Sequence, residues 1–238
     1  MSIAERIVVC RDYADMSRRA AEEAIKKGLV RVNGEVVSEG ERIIPGVDLV
    51  EYNGVPVIPS ADKKTYVLLN KPRGFVTTLS DEKGRRTVAE LVASVGTRIY
   101  PVGRLDMDSD GLLLFTDDGE LTNKLTHPRH EIPKIYHVTV SGKVSREKID
   151  ALSSPMLIDG YKILPVKTRV IDEGVSSSTL EMTLYEGRNR QIRKMCQQQN
   201  LKITRLCRVA IGNIRLGSLA VGKWRYLTPA EVAYLKES

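Results

Sequence analysis

Asp106, Asp108 and Asp110 alternate through Arg104-Leu105-Asp106-Met107-Asp108-Ser109-Asp110-Gly111, which runs into Leu112-Leu113-Leu114-Phe115 and Thr116-Asp117-Asp118-Gly119. Two chemistries compete for this spacing. Alternate carboxylates with a glycine at the sixth position and an acid at the twelfth could ligate calcium. The pattern departs from such a loop at its ninth position, where Leu114 offers no oxygen, and at its twelfth, where Asp117 replaces a longer Glu. Pro101 and Gly103 also break the helix that should enter it. The other reading keeps one carboxylate, Asp106, with Arg104 two positions earlier on the same side of an extended segment. A buried Gly111–Phe115 strand would then anchor the loop. The residues alone leave a turn-forming role for Asp106 open as well.

The charge distribution narrows the class of partner. The 238 residues carry 37 Lys+Arg and 30 Asp+Glu, a formal net charge of +7. Residues 1–60 are slightly acidic, with 8 basic and 10 acidic side chains, so the excess sits beyond them. Gly187 to Arg225 holds ten basic residues and no acid, interleaved with Ile192, Met195, Ile203, Leu206, Val209 and Ile211. A basic run inside an apolar pattern belongs to a folded element, and the arginine fork suits phosphate oxygens, so a nucleic acid is the expected partner. Hydrophobic residues make up 42% of the chain, too many for a disordered tail. No apolar run approaches the roughly 20 residues of a membrane span, and the first residues lack a secretory layout. Three cysteines, Cys10, Cys196 and Cys207, build no disulfide framework, so a cytoplasmic protein is expected. His127 and His130 have ligand-like spacing, but Pro128 interrupts it and no cysteine is near; no metal is expected. Cys196, Cys207 and Trp224 read as packing residues.

The elements that must position Asp106 fall into two parts. Ser17 is a plausible N-cap for a helix that Gly28 ends, and Asn33-Gly34 joins two short β-prone runs in a hairpin. Residues 1–59 form one small domain, 60–65 a linker, and 66–238 the larger domain. In the latter, β-prone runs at Tyr66–Leu69, Gly111–Thr116, Tyr136–Val140, Val166–Ile171 and Ser178–Tyr185 alternate irregularly with helical patterns. Those patterns lie at Val88–Val95, Leu121–Thr126, Ser145–Leu152 and Arg190–Gln198. This order predicts an α+β fold with a mixed, largely antiparallel sheet and flanking helices.

Gly103-Arg104-Leu105-Asp106, with Ser109, Gly111–Leu114 and Thr116–Gly119, resembles the catalytic motif of pseudouridine synthases. Leu69-Asn70-Lys71-Pro72-Arg73-Gly74, Lys134-Ile135-Tyr136 with Val138, and Glu186-Gly187-Arg188-Asn189-Arg190-Gln191-Ile192-Arg193-Lys194-Met195 resemble three further motifs of that family, in its order. Ser17-Arg18-Arg19, Ala21-Glu22, Ile25, Gly28 and Val30–Gly34 resemble the small RNA-binding domain named after ribosomal protein S-four. Together they point to the RsuA/RluB/RluE/RluF branch, which acts on ribosomal RNA, and within it to large-subunit, RluB/RluF-like members. The small domain departs from the family pattern at Glu5–Cys10, which lacks a Lys, and at Tyr13–Met16, which lacks a Gly.

The resemblance implies a cofactor-free, metal-free enzyme that isomerises a uridine of ribosomal RNA or of a pre-ribosomal particle; nothing in the sequence demands more than a monomer. It assigns catalysis to Asp106, with Tyr136 against the everted base and Arg193 paired with Asp106 to keep it ionised and aimed. Arg104 would lie near the vacated stack, and Ile192 would be an apolar wall. Lys71, Arg188, Arg190 and Lys194 would meet RNA phosphates, and the small domain would orient substrate around Arg18, Arg19 and Arg31. A small-subunit 16S target is the alternative, as is a non-catalytic ribosomal RNA-binding or ribosome-assembly factor; a calcium-binding protein is the remote one.

Overall fold

The computed structural model describes residues 18–38, 43, 47–57, 64–127 and 131–237. Contacts divide the chain into residues 1–64 and 65–238. Ser17, Cys10, His130, residues 60–63 of the expected linker and the side chain of Arg18 lie outside the described part.

In the first unit, helix α1 (Arg18–Lys26) buries Ala21, Ala24 and Ile25 against Val30, Val37, Ile43 and Val50. Gly28, at φ +68°, ends it, with its N–H donating to Ile25 O at 2.9 Å. Strands β1 (Val30–Val32) and β2 (Glu35–Val36) form the expected hairpin, with Asn33 and Gly34 both at positive φ. β3 (Val50–Tyr52) and β4 (Val55–Pro56) complete a sheet of order β2-β1-β3-β4. Arg19 and Arg31 are exposed.

The second unit begins with β5 (Tyr66–Lys71), α2 (Val88–Val92), β6 (Tyr100–Pro101), β7 (Asp110–Thr116) and α3 (Gly119–Thr126). It continues through β8 (Lys134–Ser141), α4 (Arg146–Ser153), the hairpin β9 (Leu157–Ile158) and β10 (Tyr161–Lys162), β11 (Lys167–Glu173) and β12 (Ser177–Leu184). α5 (Gln191–Gln198), β13 (Ile203–Ile211), β14 (Ile214–Arg215), β15 (Trp224–Tyr226) and α6 (Pro229–Glu237) close it. The sheet runs β11-β12-β8-β13-β7-β5-β15, with β14 on β13 and β6 on β7. Every pairing is antiparallel except β13 with β7, so the mixed, largely antiparallel α+β sheet is present.

β7 shows why the sequence gives this sheet. All seven of its residues are buried, and their alternation feeds two cores. Leu112 and Leu114 pack with Leu121, Leu125 and Ile214, while Leu113 and Phe115 pack with Val67, Leu69 and Val88. Each such side chain contributes about 1.5–3 kcal/mol by leaving water. A separate core, built from Val138, Val140, Leu180, Met182 and Met195, lies under α5.

The parallel contact joins two antiparallel halves through two register pairs, Cys207 with Asp110 and Arg208 with Gly111. At Gly111 a Cβ would sit 2.3 Å from Arg208 O and 2.8 Å from Arg208 N, and its φ is +105°. Only glycine fits this crossing. Among the described residues no helix is long and apolar enough to cross a membrane. Cys196 and Cys207 are buried, and burial pushes both thiols up to about 12, so packing is their role.

Candidate active site

A cleft of about 400 Å³ opens between the halves of the sheet. One wall is the loop Val102–Asp106 that leads into β7; the other is built from Tyr136 on β8, the turn Tyr185–Arg190 and the start of α5. Arg104, Asp106, Tyr136, Arg188, Arg190, Ile192 and Arg193 all line it. The chain therefore brings together residues separated by up to 89 positions, as the span from Arg104 to Arg193 shows.

The loop carrying Asp106 is held from below. Thr77 Oγ1 donates to Leu105 O at 2.6 Å and accepts from Leu105 N at 3.3 Å. Lys71, fully buried, donates its ammonium to the carbonyls of Ser109 at 2.9 Å, Asp106 at 3.0 Å and Pro72 at 3.1 Å. Burial pushes that ammonium down to about 8, opposed by the charges of Asp110, Asp106 and Asp108. This corrects the phosphate role expected for Lys71: its head group is buried on the carbonyls of the loop that carries Asp106, away from the surface where a phosphate would lie. Lys71→Met keeps the apolar bulk but leaves three carbonyls without their donor. It is expected to cost about 2 kcal/mol of stability and to lower turnover as the loop loosens, read from denaturant titration beside an activity assay. A variant as stable and active as the parent would contradict this buttressing role.

The carboxylate of Asp106 is one-third exposed and faces two guanidinium groups. Arg190 Nη1 donates to its Oδ2 at 3.3 Å, whereas Arg193 Nε is 3.8 Å away and makes no hydrogen bond. Arg193 spends its Nη2 on Asp108 O at 3.0 Å, Ser109 Oγ at 3.1 Å and Asp108 Oδ1 at 3.1 Å. The expected Arg193–Asp106 pair is thus looser than the pair with Arg190, a residue expected at phosphate. The reason is local. Arg190, at φ +51° before α5, turns its side chain over both aspartates, while Arg193 clamps the loop beneath them. Burial raises the Asp108 carboxyl, but the hydrogen bond from Arg190 and the charges of Arg193 and Arg190 outweigh it and hold Asp108 below the usual carboxylate range. Asp110 pairs with Arg205 at 3.1 Å. The three aspartates are answered by arginines, and no group of His, Cys, Asp and Glu among the described residues could hold a metal ion. The calcium loop is not assembled.

The remaining candidates divide. Arg104 is exposed at the rim, and Ile192 is buried in the wall. Arg188 stacks over the Tyr161 ring, 3.1 Å from its centroid, at the mouth. Lys194 is paired with Asp159 and does not line the cleft. Sequence reasoning missed Lys134, Tyr161, Glu186 and Arg208 as cleft residues. Lys134 stood two residues from Tyr136 in a strand pattern, which was the available signal; Arg208 was hidden within a basic run.

The chain matches the family described as RNA pseudouridylate synthase over residues 65–198 and the S4 domain over residues 8–49. It is 41% identical over 221 residues to an uncharacterized RNA pseudouridine synthase of Aquifex aeolicus (strain VF5), covering 92% of this chain and 88% of that one. It is 40% identical over 222 residues to the ribosomal large subunit pseudouridine synthase B of Bacillus subtilis (strain 168), covering 92% and 90%. A crystal structure of a pseudouridylate synthase superimposes with a TM-score of 0.69 at 29% identity, over 97% of this chain and 98% of the other.

Proposed function

The chain belongs to the RNA pseudouridylate synthase family, and from that premise we propose that it isomerises one uridine of large-subunit ribosomal RNA, with Asp106 as its catalytic carboxylate. The observation that carries this is one aspartate between two arginines in a cleft of about 400 Å³, opposite a tyrosine. The likeness to the Bacillus subtilis enzyme named for the large subunit supports that choice of RNA.

The chemistry requires little else. The N1–C1′ pair leaves with the base as a uracil anion, the base turns, and a C5–C1′ bond forms. The C5 proton is then lost and N1 gains one, so atoms and electrons balance within the nucleoside. No redox partner is required, and because the base is held rather than released, a second carboxylate to admit water is unnecessary. Asp106 meets the electron-poor C1′ or removes a ribose proton. The uridine must leave its stack to reach it, with Arg104 at the rim near the vacated space and Tyr136 against the base. In this reading Tyr136 also takes part in the final proton transfer from C5. Ile192 gives an apolar wall, while Arg193 and Arg190 hold the carboxylate in place. Arg188 at the mouth, and Arg19 and Arg31 with Arg18 on the small domain, are offered to phosphates. One chain supplies every group, so a monomer suffices, and the place of action is the cytoplasm, where ribosomes are assembled.

Mapping pseudouridines across both ribosomal RNAs in a strain lacking this chain, against its parent, tests the reading. Loss at one large-subunit uridine is expected, restored by the wild-type gene. Loss confined to small-subunit RNA would move the target, and no loss at all would favour a non-catalytic assembly factor.

A further inference from the structure

Three buried side-chain polar atoms lack a hydrogen-bond partner among the described residues: Thr168 Oγ1, Arg193 Nε and Arg208 Nη2. Two of them belong to arginines that line the cleft. A buried donor without a partner calls for an explanation, and an acceptor brought by a ligand is one. Arg193 Nε has Asp106 Oδ2 at 3.8 Å. Arg208 makes no ion pair among the described residues. It is 4% exposed, and its one protein acceptor is Leu112 O, 2.8 Å from Nε. A buried guanidinium without a counter-ion is costly, so its retention in the wall of a binding cleft points to a ligand.

The register says which part of the ligand it meets. Arg208 lies directly opposite Tyr136 in the β13–β8 ladder, so the two side chains share a face. Lys134, two residues earlier on β8, shares it too and also lines the cleft. Lys134 makes no ion pair among the described residues. Burial, helped by the charge of Arg208, pushes its ammonium down. Two partially dehydrated cations thus stand beside the tyrosine in the wall of the cleft.

We propose that Arg208, together with Lys134, donates hydrogen bonds to the ring carbonyls O2 and O4 of the everted uracil and holds the uracil anion while it turns. This rests on the pseudouridine synthase reading of the cleft. The anion released by N1–C1′ cleavage spreads its charge onto those oxygens, where fixed cationic donors in a dry site stabilise it most. Turning the ring about the axis through N3 and C6 exchanges N1 with C5 and, in the same motion, O2 with O4. Donors that fit the substrate therefore fit the rotated base equally well. Arginine and lysine offer only donors. Cytosine would present its amino group to one of the two donors in either orientation, leaving donor against donor, so the pair also selects uridine.

The test uses the full chain and target ribosomal RNA tritiated at C5, with tritium release followed in single turnover. Substrates carry uridine, 2-thiouridine or 4-thiouridine at the target, sulfur being the poorer acceptor. The wild-type chain is expected to slow by about tenfold on either thio-substrate. Arg208→Met is expected to slow by about 10²-fold on uridine, with RNA affinity within about threefold. It should also lose its sensitivity to sulfur at one of the two positions, which a merely structural role for Arg208 would not produce. Should Arg208→Met fail to fold, the wild-type comparison decides alone, because indifference to both sulfurs overturns the proposal. So does wild-type turnover by Arg208→Met. Tritium release without sulfur sensitivity overturns only this inference, whereas no release from any ribosomal RNA overturns the reading beneath it.

Discussion

Gly111→Ala, the addition of one methyl group, is expected to destabilise the larger unit by about 3–5 kcal/mol and to leave little active enzyme at 37 °C. Two costs combine. The residue sits at φ +105°, where an L side chain strains the backbone, and its Cβ would lie 2.3 Å from Arg208 O. Backbone strain and overpacking each cost about 1–3 kcal/mol. The clash falls on backbone of β13, so no rotamer change relieves it. The consequence reaches the cleft, because this crossing pins the half of the sheet that carries Asp106 to the half that carries Tyr136 and Arg193. Gly160→Ala is the control, at φ +76° with nothing within 4 Å of the added carbon, and should cost about 1–2 kcal/mol from conformation alone. The single tryptophan, Trp224 on β15, reports unfolding of this unit by fluorescence. Equal losses in the two variants would mean that the β7–β13 crossing tolerates a side chain and does not set the cleft.

The parts of this architecture that could be read from the chain are those whose periodicity is clean. β12 alternates strictly between half-buried and buried residues, and β7 is one apolar run; both fall where the pattern predicts them. The Asn33-Gly34 hairpin follows from turn chemistry alone. β13, the longest strand, was not visible, because Thr204-Arg205-Leu206-Cys207-Arg208 mixes exposed and buried residues around two irregularities in its register. Its buried arginine reads in sequence as part of a phosphate-binding run. α6 and β15 carry no clear period either: α6 buries only Leu235, and β15 is a three-residue strand of half-buried and exposed side chains. In the site, most of the motif residues, though not Lys71 or Lys194, line one cleft, but their division of labour was not legible. Lysine in solvent is the ordinary expectation, and nothing local reveals that Lys71 meets three carbonyls, two of them more than thirty residues away. Nor does sequence show that the positive φ at Arg190 brings it nearer Asp106 than Arg193.

The largest effect on chemistry is expected from Asp106→Asn. The amide has the same shape, and its oxygen can still accept from Arg190, so the loop and its support from Lys71 and Thr77 persist. What disappears is the negative charge that must meet C1′ or take a ribose proton. Removing a group that acts directly on the reacting atoms costs at least about 10³-fold. RNA affinity should stay within a few-fold, because deleting one anion beside Arg190 and Arg193 does not weaken their attraction to phosphate. The direct measurement is single-turnover release of tritium from C5-labelled large-subunit ribosomal RNA, with enzyme in excess, beside filter binding of the same RNA. The wild-type chain should release one tritium per RNA while Asp106→Asn binds and releases none; release by the variant at the parent rate would remove Asp106 from the chemistry.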